Sequence, residues 1–307
     1  MGLTESFIER VGFSGPVTAV ATGSIVADRV RRRFVGRDQA EALDMAANLA
    51  SSGFGVSLHV RDAKVSSDNP VEQQMRQYLQ LIEKLSERIP ADAEVSVKLE
   101  QLGLHTHGPQ AAAMNLTELA RAAAAAGIAM TVDMESVDEV DATLTTWASA
   151  HQQVTSLGIA IQAYLPRSET DCLDLAAMGA RVRLCKGGYS RVPGVTYDSK
   201  HEVDRSYVRC ADALLRNGSY AMFATHDARM ARIVEYLAFA ADRGGLDWEY
   251  QMLQGMRPHL MAELAAAGHH VRCYIAFGED WYSWFIGRLS ENPSNVLLLG
   301  RAVLGGG

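Results

Sequence analysis

Residues 158–185 read GIAIQAYLPRSETDCLDLAAMGARVRLC: a short apolar run, a helix-like segment and a second apolar run. The first run contains the polar Gln162, and Lys186 follows the second. Eight such runs occur along the chain, each followed by a segment with helical character. Strands that alternate with helices form parallel sheets, and eight units of this size predict a closed (βα)8 barrel of the TIM type, an α/β fold.

The predicted strands are four to six residues long and lie at 55–60, 95–99, 128–132, 158–163, 181–185, 220–224, 250–253 and 271–275. The predicted helices lie at about 70–88, 112–126, 136–152, 169–178, 199–216, 227–243, 257–267 and 279–291. Two asparagines, Asn69 and Asn115, predict helix starts, and Gly127, Gly179 and Gly268 predict helix ends.

Residues 1–50 predict a helical arm ahead of the barrel, and residues 51–307 predict the barrel itself. Within the arm, 40–49 has apolar residues at helical spacing. An arginine cluster precedes it, and we interpret the cluster as a solvated helix face, with an acidic membrane surface or partner as the alternative. Its members are Arg29, Arg31, Arg32 and Arg33.

Composition excludes several classes of protein. With 48% hydrophobic and 21% charged residues and no apolar stretch of 18 residues, the chain of 307 residues predicts a globular protein without a membrane span. A net charge of -7 argues against non-specific nucleic-acid binding. Four cysteines without C-x-x-C spacing favour a reducing compartment and no zinc site. We therefore expect a cytoplasmic protein, with peripheral attachment to a membrane as an alternative.

Polar residues follow the predicted strands and converge on one rim of the barrel, where enzymes of this fold act. The sequence has no G-x-S-x-G elbow, no G-x-G-x-x-G after a strand and no Walker loop. We interpret Cys185 as a core residue and expect no metal site. Cations, amides and a tyrosine on the rim favour an anionic cofactor and a carboxylate substrate over acid–base hydrolysis.

Four motifs on predicted strands 5 to 8 resemble the proline dehydrogenase family. They are RLCKGGY at 183–189, FATHD at 223–227, QMLQGM at 251–256 and the segment 274–291. The resemblance implies a distorted (βα)8 barrel with non-covalent FAD, which oxidises L-proline to 1-pyrroline-5-carboxylate by hydride transfer to flavin N5. It also suggests a membrane quinone as electron acceptor and leaves the oligomeric state open.

The resemblance carries site roles to positions of this chain. The catalytic residues would be Arg183, Asp133 and Lys98, with Arg183 at flavin N5. Substrate would contact Lys98, Tyr189, Leu253, Tyr274, Trp284, Arg288 and Glu291. FAD would contact Asp133, Gln162, Arg183, Lys186, Gly187, Gly188, Lys200, Thr225, His226 and Gln254.

The chain departs from the family at two places. Trp284 and Gly287 stand where the family has tyrosine and the first of two arginines that clamp the proline carboxylate. Ala63 stands where the family has the glutamate that pairs with that arginine. Loss of both partners leaves no unpaired charge, which motivates an alternative: the same flavin chemistry on a different or larger cyclic, secondary or N-substituted amine or amino acid. A further alternative is a non-catalytic flavin-binding module.

Overall fold

A computed structural model describes residues 31–32, 34–61, 69–89, 91–187 and 192–278. Its sheet consists of parallel strands in the order β1-β9-β2-β3-β4-β5-β6-β7-β8, and a β8–β9 pairing closes β2 to β9 into a ring of eight. The predicted barrel is confirmed. The strands are β1 Val35–Gly36, β2 Gly55–Val60, β3 Ala93–Val97, β4 Ala129–Val132, β5 Leu157–Gln162, β6 Arg181–Cys185, β7 Tyr220–Ala224, β8 Trp248–Leu253 and β9 Val271–Phe277.

The helices are α1 Gln39–Ser51, α2 Pro70–Arg88, α3 Leu104–Ala125, α4 Val140–His151, α5 Ser168–Ala177, α6 Lys200–Arg216, α7 Ala228–Ala240 and α8 Pro258–Ala266. Short 3₁₀ turns at Glu100–Leu102 and Val137–Glu139 precede α3 and α4. Asn69 caps α2 as predicted, since its side chain accepts the Glu72 N–H. The predicted helix at 279–291 lies outside the described residues.

The predicted start of α3 was wrong. The helix begins at Leu104 and breaks at Gly108, whose φ of 84° interrupts the helical backbone before Pro109. Asn115 lies inside the helix, where its side-chain amide donates to the Leu102 carbonyl at 2.9 Å. The predicted helix ends at Gly127, Gly179 and Gly268 are confirmed, because each follows a helix with positive φ.

Side chains alternate between two faces along each barrel strand. In β3, Val95 and Val97 belong to the apolar core, whereas Glu94 and Ser96 reach across the barrel to Arg183. The apolar side chains of each strand cover the outside of the sheet, where the helices pack. The barrel interior is therefore unusually polar, and its polar groups lead to the carboxyl ends of the strands.

The segment before the barrel also packs on the sheet. Three residues of α1 are buried in the common core (Ala42, Leu43, Ala46), and Val35–Gly36 pairs with β9. We interpreted the arginine cluster as a solvated helix face, which was wrong for Arg31. This side chain is buried and donates to Glu41 at 2.5 Å. Burial is tolerated because the Glu41 carboxylate supplies the counter-charge. Arg32 is exposed, and the other two arginines lie outside the described residues. Among the described helices, none is both long and apolar enough to cross a bilayer.

Candidate functional site

A cavity of about 350 Å³ opens at the carboxyl ends of the barrel strands. Nine of the twelve described residues with an expected site role line this cavity. They are Lys98, Asp133, Gln162, Arg183, Lys186, Gly187, His226, Leu253 and Tyr274. Parallel strands converge at this rim, so residues far apart in sequence meet in one pocket.

Arg183, in the middle of β6, is the buried cation at the base of the cavity. Its guanidinium donates to Asp133 Oδ1 at 2.5 Å, to Ser96 Oγ at 2.7 Å and to Gln251 Oε1 at 2.5 Å, and it also contacts Glu94. Burial opposes a charged guanidinium, but the Glu94 and Asp133 carboxylates outweigh burial and raise the pKa of Arg183. A permanent, rigidly held positive charge therefore lies at the cavity floor.

Asp133 connects this cation to the cavity wall. Its Oδ1 accepts from Ser96 Oγ at 2.8 Å, and its Oδ2 accepts the Tyr274 hydroxyl at 3.1 Å. The Tyr274 ring also lies against the Arg183 guanidinium, with 5.5 Å between the ring centroid and Cζ. Three predicted site residues are thus held in one hydrogen-bonded unit.

Lys98 forms a second charged group on the wall. Its Nζ donates to Glu135 Oε2 at 3.0 Å and lies 3.6 Å from Glu100. Burial favours the neutral amine, but Glu135 and the other nearby carboxylates raise the pKa of Lys98, which keeps its charge. The lysine is therefore a charged cavity residue that already has acidic neighbours.

His59 lines the cavity beside Tyr274, to which its ring is stacked at 6.2 Å. Its Nδ1 lies 3.1 Å from the Ser96 carbonyl, which fixes Nδ1 as the donor in the neutral imidazole. Burial lowers the pKa of His59 to about 4, against the opposing effect of the Asp133 charge. At neutral pH this side chain is an uncharged, hydrogen-bonding wall residue.

One side of the cavity carries polar groups suited to a planar heterocycle. The Gln162 amide donates to the Met134 carbonyl at 2.8 Å, while its buried Oε1 has no hydrogen-bond partner among the described residues. Gly187 has φ of 100°, and a Cβ there would lie 2.5 Å from the Tyr164 ring. His226 Nε2 accepts the Leu253 N–H at 2.9 Å, which fixes its tautomer. An unused acceptor and a backbone that only glycine permits thus flank the same space.

A cluster of charges lies next to this side. Lys186 Nζ donates to Asp204 at 2.6 Å and to Asp227 at 3.0 Å. Lys200 and Arg229 donate to the other Asp204 oxygen at 2.8 and 2.6 Å. Three cations around two carboxylates leave a net positive charge, which suits a phosphate-bearing ligand.

Three expected site residues do not line the cavity. Lys200 is largely exposed beside Asp204, Thr225 is buried and accepts the Asp227 N–H at 3.1 Å, and Gln254 accepts from Cys273 Sγ at 3.0 Å. Five others lie outside the described residues: Gly188, Tyr189, Trp284, Arg288 and Glu291. The interpretation of Cys185 as a core residue was wrong, because it ends β6 and lines the cavity.

Three polar residues that hold Arg183 received no site role from the sequence: Glu94, Ser96 and Gln251. Glu94 directly precedes the predicted strand at 95–99, whereas Ser96 and Gln251 lie inside predicted strands. The signal was present as alternation, in AEVSV of β3 and WEYQML of β8, which places every second side chain inside the barrel.

One group of possible metal ligands exists among the described residues. Asp92, Glu249 and His270 have ligand atoms within 4.8 Å of one another, at the opposite end of the barrel from the cavity. Arg272 donates to Asp92 at 2.6 Å and to Glu249 at 2.7 Å, so both carboxylates already have a cationic partner. The group is best described as an ion-pair network.

Solved structures share this fold. The proline utilization A structure from Bdellovibrio bacteriovorus, inactivated by N-propargylglycine, superposes with a TM-score of 0.81 at 21% identity over 92% of this chain. The corresponding protein from Corynebacterium freiburgense gives 0.74 at 20% identity over 98% of the chain. The chain spans about a third (34%) of the length of those two proteins.

Sequence relatives extend the comparison over nearly full length. Proline dehydrogenase 1 of Bacillus subtilis subsp. natto is 29% identical over 274 residues, which cover 89% of this chain and 90% of the relative. Proline dehydrogenase of Deinococcus radiodurans is 33% identical over 69% of this chain and 70% of the relative. The family model for proline dehydrogenase matches residues 42–299, from α1 through every barrel strand. The chain therefore belongs to the proline dehydrogenase family.

Proposed function

We propose that this protein is an FAD-dependent proline dehydrogenase, which oxidises L-proline to 1-pyrroline-5-carboxylate. The observation that carries the proposal is the cavity itself, where Arg183, Asp133 and Tyr274, three residues to which the resemblance gives site roles, form one hydrogen-bonded unit. Family membership makes proline the favoured substrate.

The residues present fit a flavin. Gln162 Oε1, which has no hydrogen-bond partner among the described residues, is an acceptor for a ring N–H. The Gly187 backbone approaches the Tyr164 ring as closely as only glycine permits, and Arg183 supplies a cation. The positive cluster of Lys186, Lys200 and Arg229 would attract the pyrophosphate. These residues would hold FAD, with Lys200 acting from the cavity's edge.

When bound, FAD supplies the two-electron acceptor for the hydride that leaves the carbon next to the proline nitrogen. The chain's own residues prepare this transfer. Arg183 stabilises negative charge as it develops at the cavity floor, Asp133 and Tyr274 hold the guanidinium in place, and Lys98 attracts the substrate carboxylate. The proton of the substrate ammonium must leave to solvent before the carbon–nitrogen double bond forms.

The altered-substrate alternative depends on Ala63, Trp284 and Gly287, which lie outside the described residues. The comparisons do not favour it, because near full-length relatives are proline dehydrogenases. A non-catalytic flavin-binding module is opposed by the intact Arg183 unit, which pure binding does not require. We further propose a cytoplasmic location and a membrane quinone as electron acceptor.

The test is the absorption spectrum of purified protein reconstituted with FAD. Bleaching of the oxidised-flavin bands by L-proline under anaerobic conditions is the expected result. Pyrrolidine, which lacks the carboxylate, and an N-methyl amino acid are the matched substrate controls. Protein that takes up no FAD would contradict the cofactor proposal, and bleaching by the N-methyl amino acid but not by L-proline would establish the altered-substrate alternative.

A further inference from the structure

Glu94 is a fully buried carboxylate in β3, below the cavity rather than in its wall. Its Oε1 accepts from Ser57 Oγ at 2.8 Å and its Oε2 accepts from Thr131 Oγ1 at 2.7 Å. The guanidinium of Arg183 donates to Oε1 as well. Glu94 is thus held in place by strands β2, β4 and β6 at once.

The second arginine near Glu94 does not replace the first. Arg181 lies 3.9 Å from Oε2, beyond hydrogen-bond distance, and its guanidinium stacks on the Tyr220 ring at 4.4 Å. Positive charge from Arg183 and Arg272 outweighs the effect of burial and lowers the pKa of Glu94. The carboxylate is therefore ionised, and Arg183 is its direct partner.

Arg183 thus lies between two carboxylates that differ in access to the cavity. Asp133 lines the cavity, whereas Glu94 does not. Glu94 has no contact with the space where substrate and cofactor bind, so any effect on the reaction must pass through Arg183. A carboxylate at contact distance in a buried environment offsets much of the field of a guanidinium.

We propose that Glu94 is a positioning residue that fixes the Arg183 guanidinium and sets how much of its positive charge acts on the bound flavin. This inference rests on the proposed function. Because a cation stabilises the added negative charge of a reduced flavin, Glu94 holds the flavin midpoint potential below the value that an unopposed Arg183 would give.

The experiment measures the midpoint potential of the FAD-bound protein by spectroelectrochemistry, together with the dissociation constant for FAD. Glu94→Gln, which keeps the shape and removes the charge, should shift the potential to a more positive value. Glu94→Asp, which keeps the charge, should stay close to the wild type. Asp92→Asn takes a carboxylate from Arg272 at the other end of the barrel and should leave the potential unchanged.

A second variant keeps the Glu94 charge and should shift the midpoint potential in the opposite direction. Ser57→Ala combined with Thr131→Val removes both hydroxyl donors from Glu94, so the carboxylate opposes Arg183 more strongly and the potential should become more negative. This double variant decides the question if Glu94→Gln does not fold.

Unchanged potentials in folded, FAD-bound Glu94→Gln overturn the inference, as does an equal shift in Asp92→Asn. If Glu94→Gln does not fold, an unchanged potential in the double hydroxyl variant overturns it. These results differ from failure of the proposed function, in which the wild-type protein itself would bind no FAD or would not be reduced by proline.

Discussion

Replacement of Arg183 by methionine separates the structural from the chemical role of this side chain. The substitution removes the donors to Glu94, Asp133, Ser96 and Gln251 together. Glu94 is fully buried and would remain as a carboxylate without its arginine. Breaking a buried ion pair on one side costs about 3–5 kcal/mol, so Arg183→Met should lower the free energy of unfolding by that amount.

A double-mutant cycle adds the substitution Glu94→Leu. Apolar replacement of both members of a buried pair is often neutral or stabilising, so Arg183→Met with Glu94→Leu should recover about 3 kcal/mol relative to Arg183→Met alone. Asp133 is 16% exposed in its side chain and keeps Ser96 and Tyr274 as partners, so its loss of Arg183 should cost less. The midpoint of urea denaturation, followed by circular dichroism, measures both differences.

Flavin reduction should not recover with stability. Both variants lack the cation at the cavity floor, and removal of one such electrostatic group slows a reaction by about 10²–10³. Stopped-flow reduction of FAD-saturated protein by proline measures this rate. Reduction at a near wild-type rate in either variant would remove Arg183 from the mechanism, and a double variant no more stable than Arg183→Met would refute the buried-pair argument.

Two further predictions concern the cavity wall. Burial lowers the pKa of His59 from 6.5 to about 4, so the unfolded chain binds a proton in this range that the folded protein does not. The contribution of neutral His59 to the free energy of unfolding is complete above pH 6.5 and is lost as pH falls toward 4. Between pH 7 and pH 5, His59→Gln should therefore lose about 2 kcal/mol less stability than the wild type, as measured by urea denaturation. Equal pH dependence of stability in the two proteins would contradict this. Gly187→Ala, which forces a Cβ against Tyr164 at φ of 100°, should weaken FAD binding and cost more stability than Gly194→Ala, where φ is 75° and nothing lies within 4 Å. Backbone strain alone is worth about 1–2 kcal/mol, so equal losses in thermal unfolding would show that the Tyr164 contact adds nothing.

The barrel could be predicted because the fold depends on a pattern that repeats in the sequence. Apolar runs spaced by helical segments permit few topologies once the connections must be right-handed and short. The start of α3 could not be predicted in the same way, because a glycine break at Gly108 precedes a proline that begins a new helical segment. Local sequence there is compatible with either start, and packing of Leu104 and Leu102 into the core decides.

The cavity residues were predictable in part for the same reason. Residues at strand ends, such as Lys98, Asp133 and Gln162, follow from strand position alone. Lys200, Thr225 and Gln254 were assigned to the site by the family resemblance, and their side chains form hydrogen bonds with neighbouring groups beside the cavity. Motif position identifies the loop, but the side-chain direction depends on partners that the motif does not name.

The interior network could not be predicted from spacing, because its bonds cross the barrel. Glu94 and Arg183 are 89 positions apart, and their meeting depends on the stagger of strands that are not neighbours in the sheet. Alternation shows that both side chains point inward. It does not show which cation faces which carboxylate, and that pairing decides whether a buried charge is stabilising or costly.

Gln251 shows how strongly such pairing constrains a residue. Its Oε1 accepts from Arg183 Nε at 2.5 Å, and its Nε2 donates to Glu249 Oε1 at 2.6 Å. The first neighbour requires an acceptor and the second requires a donor, and a side-chain amide supplies both from one planar group. A glutamate at this position would oppose Glu249, and an apolar residue would leave two ionised groups each short of a bond. Gln251 therefore joins the Arg183 unit to the Arg272 ion pairs, and its amide has one satisfied orientation because the charges on its two sides differ in sign.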